Sequence, residues 1–270
     1  MSTDAPDTES EAAAAGEGGG APDAYESLLA EYRRVANVRS AGEMLSWDQQ
    51  VMMPEGGTPA RSQQLSTLSS LSHELLTDDA VGDALDALEA RDLTDERAAV
   101  VREIRRQYDR ADAVPAELVE EISETSSEAL GAWEKAKAED DFESFAPYLQ
   151  KHVELKREYA EHIDPDRDAY AVLFEDFEPC LSLERAESIL ESLRETLVPM
   201  IEEIRDSEAD LATDAFTSLG AYPAEDQEAL CRDVLSTLGY DWDRGRLDTS
   251  SHPFTAGTTF DSRVTTRFDE

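Results

Sequence analysis

The chain has 270 residues, enough to bury roughly 70–75% of the surface its unfolded form would expose. Its 24 basic and 62 acidic residues give a formal charge of −38, which argues against a nucleic acid partner because phosphate binding needs a basic footprint. No run of 18 apolar residues exists and no basic-then-apolar signal segment opens the chain, so neither the membrane nor export is indicated and the cytoplasm is the default.

The acidity has two readings, disorder or a folded protein with a carboxylate-rich surface. Leucine, isoleucine, valine and aromatic residues recur at helical spacing within the acidic segments, which favours folding. Such a surface suits very high salt, where the Debye length of about 3 Å screens self-repulsion. Cys180 and Cys231 are too few for a disulfide scaffold and too far apart for a CxxC site. They read as two free, buried thiols in a reducing compartment.

Residues 1–22 form a low-complexity leader of Ala, Gly, Glu and Asp with no material for a core, expected to be disordered. From Ala24 to about Asp48, Tyr25, Leu28, Leu29, Tyr32, Val35 and Val38 recur three and four apart, the stripe of an amphipathic helix. Pro54 and the Gly56-Gly57 pair interrupt it. Helices are then predicted over 59–77, 79–91 and 95–111, with a capping residue for the last within Leu93-Thr94-Asp95-Glu96. Pro115 and Ala116 open a helix to Lys137, Phe142 to Ile163 form another, and 169–177 is a short one.

The cleanest stripe is Ala186, Ile189, Leu190, Leu193, Leu197, Ile201 and Ile204, in a helix over 183–205 capped by Ser182. Pro199 should bend or break it. A helix from Pro223 to Leu238 ends at Gly239. After Tyr240 the composition turns to Gly, Asp, Thr, Ser and Pro, and 258–268 has a short strand-like pattern. The fold class is mainly α with a small β region near the C-terminus.

A hydrolytic zinc needs three protein ligands and an open position. Of the four histidines, His73 begins a His-Glu-x-x-His pattern but has Thr77 in the fifth place. His152 and His162, ten residues apart, do not share one helix face and read as structural. His252, before Pro253 and Phe254, either points into a cleft or positions the backbone. Carboxylates are too numerous to single out an acid/base pair. Trp47-Asp48-Gln49 reads mainly as a helix end whose Trp is core and whose Asp holds the turn, with cleft lining as the alternative. Arg263 and Arg267 share a face, and either fork onto a substrate carboxylate or brace Asp261, Asp269 or Glu270.

Several segments together resemble the N-terminal half of the Taq-type thermostable metallocarboxypeptidases. They are Ser40-Ala41, Leu45 to Gln49, Met53-Pro54, Ala60 to Leu65 with Leu68, Leu71 to Glu74, Tyr170 to Pro179, Tyr222-Pro223 with Gln227, Leu238 to Asp241 and Gly245 to Asp248. The most specific are His252-Pro253-Phe254 and Asp261-Ser262-Arg263-Val264-Thr265. The resemblance covers nearly everything after the leader.

It implies a helical fold like that of the neurolysin and dipeptidyl carboxypeptidase group, crossed by a deep groove. It also implies release of single C-terminal residues from peptides, zinc or cobalt as cofactor, and homodimers. In that pattern His252, Pro253, Phe254, Asp261, Arg263 and Thr265 are groove residues, and Trp47, Asp48, Gln49, Pro54 and Arg61 a structural motif. The metal-binding His-Glu-x-x-His helix would begin shortly after Glu270, so residues 23–270 are read as a domain portion truncated before it, and no catalytic or metal residue is assigned. Cys180 stands where glycine is common in the family. The expectation is a chain inactive alone and holding no metal, completed by a separate polypeptide if its gene is split or frameshifted. The alternatives are a non-catalytic peptide-binding module and an unstable remnant whose uncovered apolar helix faces favour aggregation.

Overall fold

The computed structural model describes residues 23–207 and 222–268, so the expected leader (1–22) and the Asp269 and Glu270 partners lie outside the described residues. The helices are α1 (Ala24–Val51), α2 (Thr58–Leu76), α3 (Asp79–Glu89), α4 (Asp95–Asp112), α5 (Ala116–Glu139), α6 (Phe142–Ile163), α7 (Ala169–Phe177), α8 (Leu183–Asp206) and α9 (Ala224–Thr237). A 3₁₀ turn, Glu55–Gly57, separates α1 from α2. Three strands follow, β1 (Gly245–Thr249), β2 (Thr255–Thr258) and β3 (Asp261–Thr266). Among the described residues no helix is long and apolar enough to cross a membrane.

Local chemistry explains most boundaries. Thr94 Oγ1 accepts from the Arg97 N–H at 3.4 Å and Ser182 Oγ from the Arg185 N–H at 3.2 Å, each satisfying a donor the first helical turn leaves unpaired. At the end of α9, Gly239 takes a φ of +86°, a left-handed conformation that glycine adopts without strain. Its N–H reaches Ser236 O at 3.1 Å while the Tyr240 N–H reaches Leu235 O at 2.9 Å, the paired bonds of a Schellman stop. Helix α1 runs to Val51, three residues past the expected end. Helix α8 passes through Pro199 without breaking. The proline removes one N–H from the ladder, and the surrounding turn is exposed, so water can reach the carbonyl left without its donor.

The core is built from two apolar clusters. Tyr25 and Leu28 of α1 meet Val81, Leu85 and Leu88 of α3 and Val101 and Ile104 of α4. Val114 and Leu118 meet Leu155 of α6, with Val119, Ile122, Tyr159 and Ile163 packed around them. Between α1, α2 and α5 the packing is more polar. Ser69 Oγ donates to Ser123 Oγ at 3.0 Å, and Ser66 Oγ to Glu120 Oε1 at 3.2 Å. By contrast, Ile189, Leu190, Leu193, Leu197, Ile201 and Ile204 of α8 are exposed, leaving the cleanest stripe in the sequence facing solvent.

The sheet has the order β1-β3-β2, with β1 parallel and β2 antiparallel to β3. Only the region around β3 was expected from sequence, since β1 and β2 are five and four residues long and too brief to show alternation. In β2, Gly257 has a φ of +111°, and a Cβ there would sit 1.9 Å from Asp261 O, so no other residue fits that hairpin. The expectation of two buried thiols is corrected: Cys180 is exposed and Cys231 half-buried, because Cys180 lies in the turn before α8 and not on a packed face.

Candidate functional site

The sheet is fastened to the C-terminal part of α1 through Trp47, whose ring is buried to 5% exposure. The guanidinium carbons of Arg263 and Arg246 lie 4.2 Å and 4.9 Å from the Trp47 ring. Each arginine is held in turn by a carboxylate on its own strand. Arg263 forks onto Asp261 at 2.6 and 2.8 Å, and Arg246 onto Asp248 at 2.6 and 2.5 Å. The hydrogen bonds from Arg263 hold the Asp261 carboxyl below the usual carboxylate range. Arg263 therefore braces Asp261 while stacking on α1, whereas Arg267 lies exposed beyond the end of β3.

The turn at His252-Pro253-Phe254 is pinned from two sides. Thr265, buried on β3, donates to Phe254 O at 3.1 Å and accepts from the Phe254 N–H at 2.9 Å. Ser250 and Thr265 share a hydroxyl–hydroxyl bond of 2.7 Å, and Ser251 Oγ donates to Glu134 Oε1 on α5 at 2.7 Å. His252 is exposed, with Nδ1 2.9 Å from Pro253 O. The structure thus brings His252, Pro253, Phe254 and Thr265 into one hydrogen-bonded corner, with Asp261 and Arg263 further along β3 against Trp47.

The second motif is a hinge between α1 and α2. Arg61, nearly buried on α2, reaches Asp48 Oδ2 at 2.5 Å and Gln64 Oε1 at 3.2 Å, and also donates to Leu45 O. The Asp48 carbonyl accepts from Met52 and Met53 at 2.9 and 2.8 Å, closing the helix end. Pro54 O accepts from the Gly57 N–H at 2.8 Å to form the turn. Gln49 exchanges hydrogen bonds with Ser127 of α5, donating to its carbonyl at 3.1 Å and accepting from its hydroxyl at 3.2 Å. Trp47, Asp48, Gln49, Pro54 and Arg61 therefore lock three helices and the sheet together.

The histidines do not converge. His73 Nε2 lies 2.9 Å from both Ala111 O and Val114 O, so that nitrogen carries a proton and ties α2 to the end of α4. His152 and His162 sit on α6, and burial together with the Lys156 ammonium lowers the His152 pKa. Among the described residues no group of three or more His, Cys, Asp or Glu side chains could hold a metal ion. This donor set does not fit a catalytic zinc, which requires three converging ligands.

Sequence reasoning missed a cavity of about 890 Å³ lined by residues of α1, α2, α4, α5, α6 and α7. Gln49 lines it, but His252, Pro253, Phe254, Asp261, Arg263 and Thr265 do not. No spacing rule links Arg39 on α1 to Lys156 on α6, so only the fold reveals that they share it.

Comparison with known proteins places this geometry in context. The family model for "Carboxypeptidase Taq (M32) metallopeptidase" matches residues 27–270. Thermostable carboxypeptidase 1 of Thermus thermophilus is 33% identical over 261 residues, covering 92% of this chain and 51% of the relative. Thermostable carboxypeptidase 1 of Pyrococcus furiosus is 34% identical over 247 residues, covering 90% and 49%. A crystal structure described as BsuCP superposes with a TM-score of 0.82 at 29% identity, covering 92% of this chain and 50% of that one. The chain spans about half the length of the curated relatives it matches.

Proposed function

Since the chain belongs to the carboxypeptidase Taq (M32) metallopeptidase family, we propose that it forms the groove-bearing helical portion of an enzyme that releases single C-terminal residues from peptides. The observation that carries this reading is the corner formed by His252-Pro253-Phe254 and Thr265, held against the helices through Ser251–Glu134 and Arg263–Trp47. A fixed corner of this kind can serve as a groove wall, presenting His252 and the backbone near Phe254 to an extended peptide. Asp261 and Arg263 neutralise one another and act as its brace.

Because the described residues do not fit a catalytic metal, no bond-breaking step is assigned to them. In the complete reaction, zinc or cobalt would supply an activated water, and its ligands would come from polypeptide equivalent to the other half of the relatives. That polypeptide could be a separate chain, and the whole could pair as a homodimer. The acidic surface, the four lysines against twenty arginines, and the unpaired cysteines suit a salt-rich, reducing cytoplasm.

The test is release of the terminal residue from an N-blocked dipeptide in molar KCl. The expected result is no chelator-sensitive release by this chain alone, and release once a polypeptide equivalent to the relatives' other half is added. Chelator-sensitive release by the chain alone, or none with both pieces folded and associated, overturns the proposal. The absence of a three-ligand set among the described residues favours a second reading, a helical module that binds peptides without cutting them. Calorimetric titration with C-terminally free peptides tests it, and no heat with any of them rejects it.

A further inference from the structure

The cavity of about 890 Å³ lies within the range of about 300–1,000 Å³ typical of small-molecule sites. Much of its wall is apolar, from Leu65 and Leu68 of α2 and Val119, Ile122 and Leu130 of α5. The charged groups among the lining sort themselves by partner. Arg106 is forked by Glu103, with one bond of 2.6 Å, and Arg110 pairs with Asp176 at 2.6 Å. Those cations are neutralised where they stand.

Arg39 and Lys156 are not. Arg39 donates only to neutral oxygens, Nε to Ser72 Oγ at 3.2 Å and Nη1 to Gln107 Oε1 at 2.9 Å. The Lys156 ammonium lies 4.9 Å from the Tyr159 ring. Neither has a carboxylate ion-pair partner among the described residues, although the chain holds 62 acidic residues against 24 basic ones. Both are exposed, so they stand where the cavity meets solvent. Against them the lining sets Glu43, which is also without an ion pair among the described residues. One positive charge is left over. Arg39 keeps guanidinium donors that no neutral acceptor uses, and Lys156 offers three N–H donors and no acceptor.

We propose that this cavity binds a small acid with an apolar body and a single carboxylate. The body packs against the leucine and isoleucine wall, and the carboxylate accepts charge-assisted hydrogen bonds from Arg39 or Lys156, which are about twice as strong as neutral ones. The proposal is independent of the peptidase reading, since it requires neither hydrolysis nor a metal. Two sources carry this chemistry, a fatty acid and the free C-terminus of a short apolar peptide.

Titration calorimetry on the full chain in 1 M KCl with octanoate and with acetyl-leucyl-leucine separates the sources. The neutral analogues 1-octanol and acetyl-leucyl-leucinamide test the carboxylate. At least one acid should bind one-to-one, at least tenfold more tightly than its neutral analogue. Octanoate alone identifies fatty acids, the dipeptide alone identifies peptide ends, and binding of both shows a site general for apolar acids. Arg39→Gln or Lys156→Gln, at exposed positions and with unchanged circular dichroism, should weaken the acid at least fivefold. The proposal is overturned if neither acid binds at millimolar concentration, if the neutral analogues bind as tightly, or if both substitutions leave a folded protein's affinity unchanged.

Discussion

The guanidinium of Arg263 lies 4.2 Å from the ring of Trp47, joining the central strand of the sheet to helix α1. Arg246 approaches the same ring at 4.9 Å, so two strands share one aromatic anchor. Burial of the indole and its cation–π contacts act together here. Trp47→Ala should cost about 3–5 kcal/mol of stability, and Trp47→Phe, which keeps an aromatic face, distinctly less. Urea unfolding in molar KCl measures both. A loss below about 1 kcal/mol for the alanine variant would show that the anchor is unimportant.

The Asp48–Arg61 pair is unequal. The Arg61 side chain is 9% exposed and that of Asp48 38%, so water can reach the acid but hardly the base. Asp48→Ala leaves a poorly hydrated guanidinium, whereas Arg61→Met leaves a carboxylate that can be solvated and fills the space with an apolar chain. The aspartate substitution should therefore be the more damaging, at about 3 kcal/mol, with the arginine substitution nearer 1–2 kcal/mol. The opposite order in denaturant unfolding refutes this account of the hinge.

Acid should weaken the fold through identifiable carboxylates. Hydrogen bonds from Arg106, Arg167 and Arg263 lower the pKa values of Glu103, Glu175 and Asp261. A carboxyl with a lower pKa folded than unfolded contributes stability above its unfolded value of about 4, and loses it as pH falls through the folded value. In molar KCl, stability should slip slightly as pH falls below about 7, where the unfolded chain protonates His152 more readily than the folded one, and decline further below about 4. In dilute buffer, protonation of surplus carboxylates first relieves repulsion, so stability should rise before it falls. Thermal melts across pH at both salt concentrations test the pair of curves, and rising stability below pH 3 in molar KCl contradicts them.

Salt itself should be required. A formal charge of −38 repels itself unless screened, and the Debye length grows from about 3 Å at 1 M to about 30 Å at 0.01 M. Helical circular dichroism should fall when KCl is lowered from molar to millimolar. An unchanged spectrum removes the case for a salt-adapted surface.

Much of the helical architecture was legible because its signals are local. The stripe from Tyr25 to Val38, the caps at Thr94 and Ser182, and the stop at Gly239 each depend on residues within a few positions of one another. The sheet was only half visible because β1 and β2 are short and acquire meaning by pairing with β3. Bracing of Asp261 by Arg263 could be posed from spacing, but the shared Trp47 ring could not, since the contact spans most of the chain. That His73 lacks a second histidine one turn later was readable from Thr77, while its bonds to two α4-end carbonyls needed the fold. The Arg39–Lys156 cavity left no sequence trace, as its walls come from six helices.

The sheet order has a further consequence for how the molecule assembles. β3 lies between β1 and β2 yet is the last of the three to leave the ribosome. Until it arrives, the two outer strands have no partner, and the indole of Trp47 waits with only part of its cover. The helices can gather early through near-neighbour contacts, whereas the corner that presents His252 is a late event, completed by a segment made long after the helix it rests upon.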